Sequence, residues 1–418
     1  METSICAGDF LNLQISRKID LFLGNIICFL LMAIELVRRI MPLKYFDTKN
    51  IKKILLIKPL GLGSVVLTMP SVSYLRKKYN AKIDYLTFES NRELIELVGL
   101  IDEVIAIRDS SIVEMLFDTV RALYKMWREK YDVVIDFEFF PNYTLILSYL
   151  SGARVRVGFY FDGMGMRSIT RRYLLTHRNY YNYYRHVSEM FLHAAMIVDN
   201  NERLVDKEKI YNEMEKIRDS VIAKIGTQIS EMYRTCKKEN VKLLILNPNT
   251  GELNASLRKW PVENWIGLVK KLNEENKKMK ILFIGGKKER KDTELLIEEI
   301  KSKVKDLKVD IENLAGNTSV KDLIALLNIG DVLITNDTGP MHLSALSKIS
   351  VIALFGPETP ILFAPLSKNL HVIYLNLYCS PCATVFSGKV SACQNNLCMK
   401  GISAAEVFKI YKSIDEGS

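Results

Sequence analysis

Residues 331–342 read DVLITNDTGPMH. The first part is a short apolar run with β-branched side chains, the pattern of a strand buried on both faces. The second part stops it: Asn336, Asp337 and Thr338 are turn and cap residues, and Pro340 suits the first turn of a helix. A buried strand feeding straight into a helix start is the repeating unit of a parallel sheet with crossover helices. At such a junction the backbone N–H groups and the Thr338 hydroxyl can face a diphosphate. A capped helix with no ligand begins in the same way. The compact set of Asp337, Thr338, Gly339, Pro340 and His342 favours a ligand loop.

The alternation continues outward. Segments 242–247 (KLLILN), 280–285 (KILFIG) and 350–355 (SVIALF) read as further strands, with helices near 262–276, 289–304 and 319–328. An earlier series repeats the pattern: strands at 53–58 (KILLIK), 82–88 (KIDYLTF), 103–107 (EVIAI) and 132–137 (DVVIDF), with helices near 65–79 and 112–130. The stretch 200–240 is highly charged and helix-prone, which predicts a connecting helix and linker. The expected architecture is α/β, with two Rossmann-like doubly wound domains facing a central cleft and an apolar helix before them. The expected boundaries are 1–48 for that helical segment, 49–200, a linker at 201–240, and 241–418. A dehydrogenase shares this topology, so function has to come from the strand ends.

Bulk properties narrow the classes little. The net charge of +10 suits an anionic glycolipid, a phosphorylated donor or a membrane surface. No RNA-binding motif, zinc finger or recognition helix accompanies it, so nucleic acid is not an expected partner. Cys6, Cys28 and Cys236 stand alone, as thiols do in a reducing compartment. Near the N-terminus, 21–34 (LFLGNIICFLLMAI) is uncharged and bracketed by Asp20 and Glu35. It is shorter than the roughly 18 residues of a spanning helix. Arg17 and Lys18 precede it, and Arg38, Arg39 and Lys44 follow, so a membrane-surface helix is expected, with a buried helix as the plainer reading.

Two more strand ends carry chemistry. Residues 58–64 (KPLGLGS) run from the first strand into a helix, and Gly61 and Gly63 permit a sharp turn near an anion. Two glycines make a weak dinucleotide fingerprint, which counts against a nicotinamide oxidoreductase. Residues 257–265 (LRKWPVENW) follow the strand KLLILN and its Asn249; Arg258 and Lys259 can neutralise a leaving diphosphate, while Trp260 and Trp265 suit packing.

In this order, KPLGLGSVVLTMP, RKWPVENW and NDTGPMH resemble glycosyltransferase family 9, the heptosyltransferase family, over roughly residues 51–412. The resemblance implies the GT-B architecture and transfer of heptose from ADP-heptose to a lipid-linked saccharide of lipopolysaccharide type. It also implies inversion, no cofactor required for catalysis, and a place at the cytoplasmic face of the inner membrane. By the same resemblance the NDTGP loop holds the donor diphosphate, and the basic position before Trp260 helps.

One position departs from the family. Its first loop ordinarily reads Gly-Asp, and that Asp is taken as the general base; here Ser64 stands instead. A serine hydroxyl is no base at neutral pH. Glu138 and then Asp136, at the end of VVIDFEFF, are the replacement candidates, and a non-catalytic, membrane-attached nucleotide-sugar or glycolipid binder is the alternative. The basic, aromatic stretch 154–186 offers Arg167, Arg171, Arg172, Arg178 and Arg185 to a phosphorylated acceptor, or forms a plain charged surface. Cys379, Cys382, Cys393 and Cys398 leave structural zinc, a labile disulfide pair and packing open.

Overall fold

Apolar strand runs need cover on both faces, and the computed structural model supplies it twice. It describes residues 13–40, 50–201, 204–226, 228–251, 255–275 and 277–417, with side chains from residue 17. The chain divides into two compact units, 1–207 and 208–418.

The first unit opens with α1 (Leu13–Arg38) and then β1 (Lys53–Ile57), α2 (Leu62–Lys78), β2 (Lys82–Phe88), α3 (Arg92–Val98), β3 (Glu103–Ile107) and α4 (Ile112–Glu129). There follow β4 (Val133–Asp136), α5 (Asn142–Leu150), β5 (Val155–Tyr160), α6 (Met166–Leu174), β6 (His177–Tyr180) and α7 (Val187–Met196). The strands form one sheet in the order β3-β2-β1-β4-β5-β6. Its pairs are parallel, with Ile57 beside Asp136 at the carboxyl ends of β1 and β4. Right-handed crossovers put α2 and α3 on one face and α4, α5 and α6 on the other; α7 packs on α2, and α1 packs on α5 and α6.

The second unit holds α8 (Lys207–Lys224), α9 (Gln228–Lys238), β7 (Lys242–Asn247), α10 (Ala255–Arg258), α11 (Val262–Asn273), β8 (Met279–Phe283), α12 (Arg290–Lys303) and β9 (Asp310–Asn313). It continues through α13 (Val320–Ile329), β10 (Val332–Asn336), α14 (Gly339–Leu343), β11 (Ser350–Phe355), α15 (Pro360–Phe363), β12 (Leu370–Tyr374), α16 (Leu397–Lys400) and α17 (Ala404–Glu416). The sheet order β12-β11-β10-β7-β8-β9 repeats the topology of the first unit. Trp260 and Trp265 stack edge to face in its core, 4.8 Å between centroids. Two doubly wound sheets are therefore present, as the strand pattern predicts.

Three expectations change. The stretch 154–186 is not an open surface but a strand, helix and strand, β5-α6-β6, whose arginines hide the apolar alternation. The charged segment 201–240 forms α8 and α9, which bury Ile210, Met214, Ile217, Val221 and Tyr233 in or against the second unit. The N-terminal helix spans 26 residues, and its 17–38 portion is long and apolar enough to cross a membrane, although 28% of it is buried. The basic flank at Lys44 lies outside the described residues.

The buried face of α1 is fixed by polar contacts as well as by Cys28, Leu31 and Met32. The Asp20 carboxylate accepts the Asn142 and Tyr143 N–H groups at 3.0 and 2.7 Å, capping α5 from outside. Glu35, 3% exposed, takes Arg39 and the buried Arg156 at 3.5 and 3.6 Å. Gly24 is required at the crossing, because a Cβ there would lie 2.6 Å from Asn142 Cβ.

Candidate functional site

In the first unit the loop after β1 is held at each step. Lys58 is buried, and its Nζ donates to Leu60 O at 2.6 Å and to Glu138 Oε1 at 2.8 Å. Glu138 Oε1 also accepts the Leu60 N–H at 2.7 Å. The Thr87 hydroxyl donates to Lys58 O and Asn91 Nδ2 to Pro59 O, at 2.9 and 2.8 Å. Gly61 then turns at φ 82°, where a side chain is strained, and α2 begins with no side-chain cap. Ser64 lies in the first turn of α2, half-buried, with Gly63 buried beside it. Such a loop is rigid before any ligand arrives. Thr87 and Asn91 were not legible as site residues; only their place at the end of KIDYLTF hints at it.

The two carboxylates at the end of β4 differ. Glu138 reaches the Ser64 loop, but its Oε1 is committed to Lys58 and Leu60, leaving Oε2 for other chemistry. Asp136 is fully buried, accepting the Glu138 N–H at 3.0 Å and the Thr144 hydroxyl at 2.8 Å. Burial pushes its pKa up to about 7, against the pull of the nearby Arg171 charge. That value suits a general base, but a carboxyl with no exposed surface cannot meet a substrate hydroxyl, and geometry decides. Asp136 sits behind Glu138 and holds its backbone N–H.

In the second unit a neutral network locks the loop after β10. Asn247 Nδ2 donates to Thr335 Oγ1 and Thr338 Oγ1 at 3.0 and 2.7 Å. Asn336 Nδ2 donates to Pro248 O at 2.9 Å, and its Oδ1 accepts the Trp260 N–H at 3.3 Å. Thr338 caps α14 through extended backbone without a side-chain cap bond, and Pro340 occupies its first turn. Because α14 has five residues, local N–H groups count for more than a helix dipole here. Arg258 Nη2 lies 3.6 Å from Asp337 Oδ2, so the cation does stand beside the loop.

His342 is buried, and burial with the Lys389 and Arg258 charges pushes its pKa down to about 3. The imidazole is therefore neutral, and its Nδ1 is buried without a hydrogen-bond partner among the described residues. Lys389, which the sequence did not flag, pairs with the buried Glu358 at 2.9 Å and covers the Phe363 ring at 4.0 Å.

Other predicted site residues move away from these roles. Lys259 turns to Asp292 at 3.3 Å on an exposed surface, not to Asp337. The Asn249 amide nitrogen is spent on Ile284 O and Thr293 Oγ1, tying β7 to β8 and α12. Arg171 is 1% exposed and donates to Phe159 O and Pro141 O, so it cannot touch an acceptor. Arg172, at the end of α6, and Arg178 line a separate pocket with Arg39 and Thr176. Arg185 pairs with Glu189 at 3.2 Å, and Arg167 lies in the first turn of α6, which follows the carboxyl end of β5. Cys379, Cys382, Cys393 and Cys398 are free thiols. Among the described residues no group of three or more His, Cys, Asp or Glu side chains is gathered for a metal, so the cysteines as placed do not fit zinc.

Comparisons with known proteins bear on the family and the fold. The family model described as glycosyltransferase family 9 (heptosyltransferase) matches residues 120–387, which leaves the Ser64 loop outside the match. Lipooligosaccharide heptosyltransferase 2 of Campylobacter jejuni is 30% identical over 178 residues, 42% of this chain and 52% of that protein. Lipopolysaccharide heptosyltransferase 2 of Escherichia coli is 30% identical over 118 residues, 28% of this chain and 32% of that one. The chain thus spans about half the length, or less, of these curated relatives. Two solved structures share the fold. An E. coli ADP-heptose lipopolysaccharide heptosyltransferase II has a TM-score of 0.61 at 18% identity, covering 88% of this chain and all of that one. A family 9 protein from Veillonella parvula has a TM-score of 0.64 at 19% identity, covering 88% and 98%.

Proposed function

Because the chain belongs to glycosyltransferase family 9, we propose that it moves heptose from ADP-heptose to a lipid-linked saccharide of lipopolysaccharide type. The transfer inverts the anomeric carbon and needs no metal. The observation that carries the donor half is the loop at 336–342. Asn247, Asn336 and Trp260 hold it rigid, and Arg258 sets a positive charge against it. The N–H groups of Asp337, Thr338 and Gly339 bind diphosphate oxygens, while Pro340 contributes none. Arg258 neutralises the charge that grows on the departing ADP.

In the acceptor half, Glu138 Oε2 takes the proton of the attacking hydroxyl, and Ser64 orients that hydroxyl by a hydrogen bond. Lys58 and the Leu60 N–H fix Glu138 through its other oxygen. Arg167 and Arg185 meet acceptor phosphates. The apolar α1 keeps the enzyme at the cytoplasmic face of the inner membrane, where such acceptors are built.

The test is single-turnover transfer from ADP-heptose to a purified core-lipid acceptor, with thermal stabilisation by ADP measured in parallel. Stabilisation with transfer is expected. Stabilisation without transfer to any core lipid favours the non-catalytic binder, the reading that Ser64 supports. Absence of stabilisation by ADP overturns the donor assignment.

A further inference from the structure

Two helices on one face of the first sheet carry apolar stripes that the other described residues leave exposed. On α4, Val113, Leu116, Phe117, Val120, Tyr124 and Trp127 recur at three- and four-residue spacing, each more than half exposed. On α1, Phe22, Leu23, Ile26, Leu30, Ile34 and Val37 do the same, each about half exposed or more. Both helices are fastened to α5. From α4, the Thr119 and Tyr143 hydroxyls meet at 2.7 Å and Trp127 Nε1 donates to Leu150 O at 2.6 Å. From α1, Asp20 caps α5 and Glu35 Oε2 accepts the Tyr149 hydroxyl at 3.1 Å. Both stripes therefore look outward from the same sheet face on one connected layer. Contiguous exposed apolar surface of this kind marks an interaction site in a soluble fold.

The charge around the stripes selects the partner. The acids of α4 are spent: Glu114 and Asp118 on Arg108, at 3.0 and 2.8 Å, and Glu129 on Lys53 at 2.8 Å. Arg121 and Arg128 are exposed along one border of the stripe. Beyond the end of α1, Arg39, Arg172 and Arg178 line one pocket of about 260 Å³, large enough for a phosphate headgroup. Apolar stripes with cationic borders match an anionic bilayer surface.

We infer that this face docks on an anionic lipid bilayer, with α1 lying in the interface plane and α4 as a second contact. A crossing orientation for α1 conflicts with its inner face. It would strip Asp20 from the α5 N-terminus and leave Arg156 buried without Glu35. The inference rests on the reading of α1 as membrane-associating, and adds a second element, an orientation and a charge preference.

The chain has three tryptophans, and Trp260 and Trp265 are buried, so Trp127 reports α4 directly. The experiment mixes the purified full chain with vesicles of phosphatidylcholine alone or with phosphatidylglycerol, some brominated in the acyl chains. Expected are a blue shift and quenching of Trp127 emission, stronger with phosphatidylglycerol and absent from a Trp127→Phe variant. The combined change Leu116→Glu, Phe117→Glu, Val120→Glu should weaken partitioning roughly tenfold or more, and Phe22→Glu, Ile26→Glu, Leu30→Glu likewise. Unchanged circular dichroism melting shows that both variants fold. If only the α1 variant loses binding and Trp127 stays unquenched, the α4 inference falls while the α1 reading stands. If the wild type ignores both vesicles but forms dimers that the α4 variant abolishes, the face is a self-interface and the inference is overturned. Equal binding to neutral and anionic vesicles overturns the charge selection.

Discussion

The two sheets have the same strand order, and in each the strand ends at the central crevice are bridged by opposite chemistry. Between β1 and β4 the bridge is ionic, Lys58 to Glu138, with both side chains almost fully buried. Between β7 and β10 it is neutral: Asn247 reaches Thr338, and Asn336 reaches back to Pro248 O. A topological switch point is where an open α/β sheet binds its ligand, so the difference bears on what each site can hold. The ionic bridge fixes a carboxylate in place beside the loop that begins α2. The neutral bridge fixes the backbone, with Arg258 standing 3.6 Å from Asp337 beside it.

The largest expected effect breaks the ionic bridge. Glu138→Gln keeps an acceptor for Lys58 and Leu60 but removes the base, so single-turnover transfer should fall by about 100- to 10,000-fold. ADP affinity should hold. Ser64→Ala should cost far less. Glu138→Ala, in contrast, strands the buried Lys58 and should lower stability by about 3–5 kcal/mol in denaturant titration.

Next comes the neutral side. Arg258→Ala removes the cation beside Asp337, and a charged hydrogen bond is worth about 1.5–3 kcal/mol. Calorimetric titration with ADP should show affinity lower by roughly ten- to a hundredfold, with the melting temperature little changed. Unaltered affinity would remove Arg258 from the donor site.

A smaller effect concerns Asp136, behind the ionic bridge. Its pKa is raised in the fold to about 7, so the protonated carboxyl is the form that the buried site favours. Stability from this group is present below the unfolded carboxyl pKa and is lost as pH rises through about 7. Unfolding free energy of the wild type in denaturant titration should therefore fall between about pH 4 and about pH 7, by on the order of 1 kcal/mol per pH unit. Asp136→Asn should flatten that part of the profile. An equally steep profile in the variant would assign the slope to another group. The smallest effect is expected at Lys259, whose partner Asp292 is exposed: Lys259→Ala should leave ADP affinity within about twofold, since such surface pairs contribute little.

What the sequence determined by itself was the architecture and the turn that ends β10. Buried strands such as KLLILN and DVLIT carry their signal in composition, and caps and turns such as Thr338-Gly339-Pro340 act on adjacent residues, so both are legible locally. Tertiary structure decided which charges are available for chemistry. Arg258 and Lys259 are neighbours in sequence, yet one meets Asp337 and the other Asp292. Arg171 and Arg172 part in the same way, one into the core and one to the surface. The side of a helix on which a cation emerges, and the carboxylate waiting there, depend on elements far away in the chain. The same reason hid the clamp on the Ser64 loop, since Thr87, Asn91 and Glu138 come from different strand ends. It also hid the common support of α1 and α4: each stripe is periodic in sequence, but only the fold ties both helices to α5.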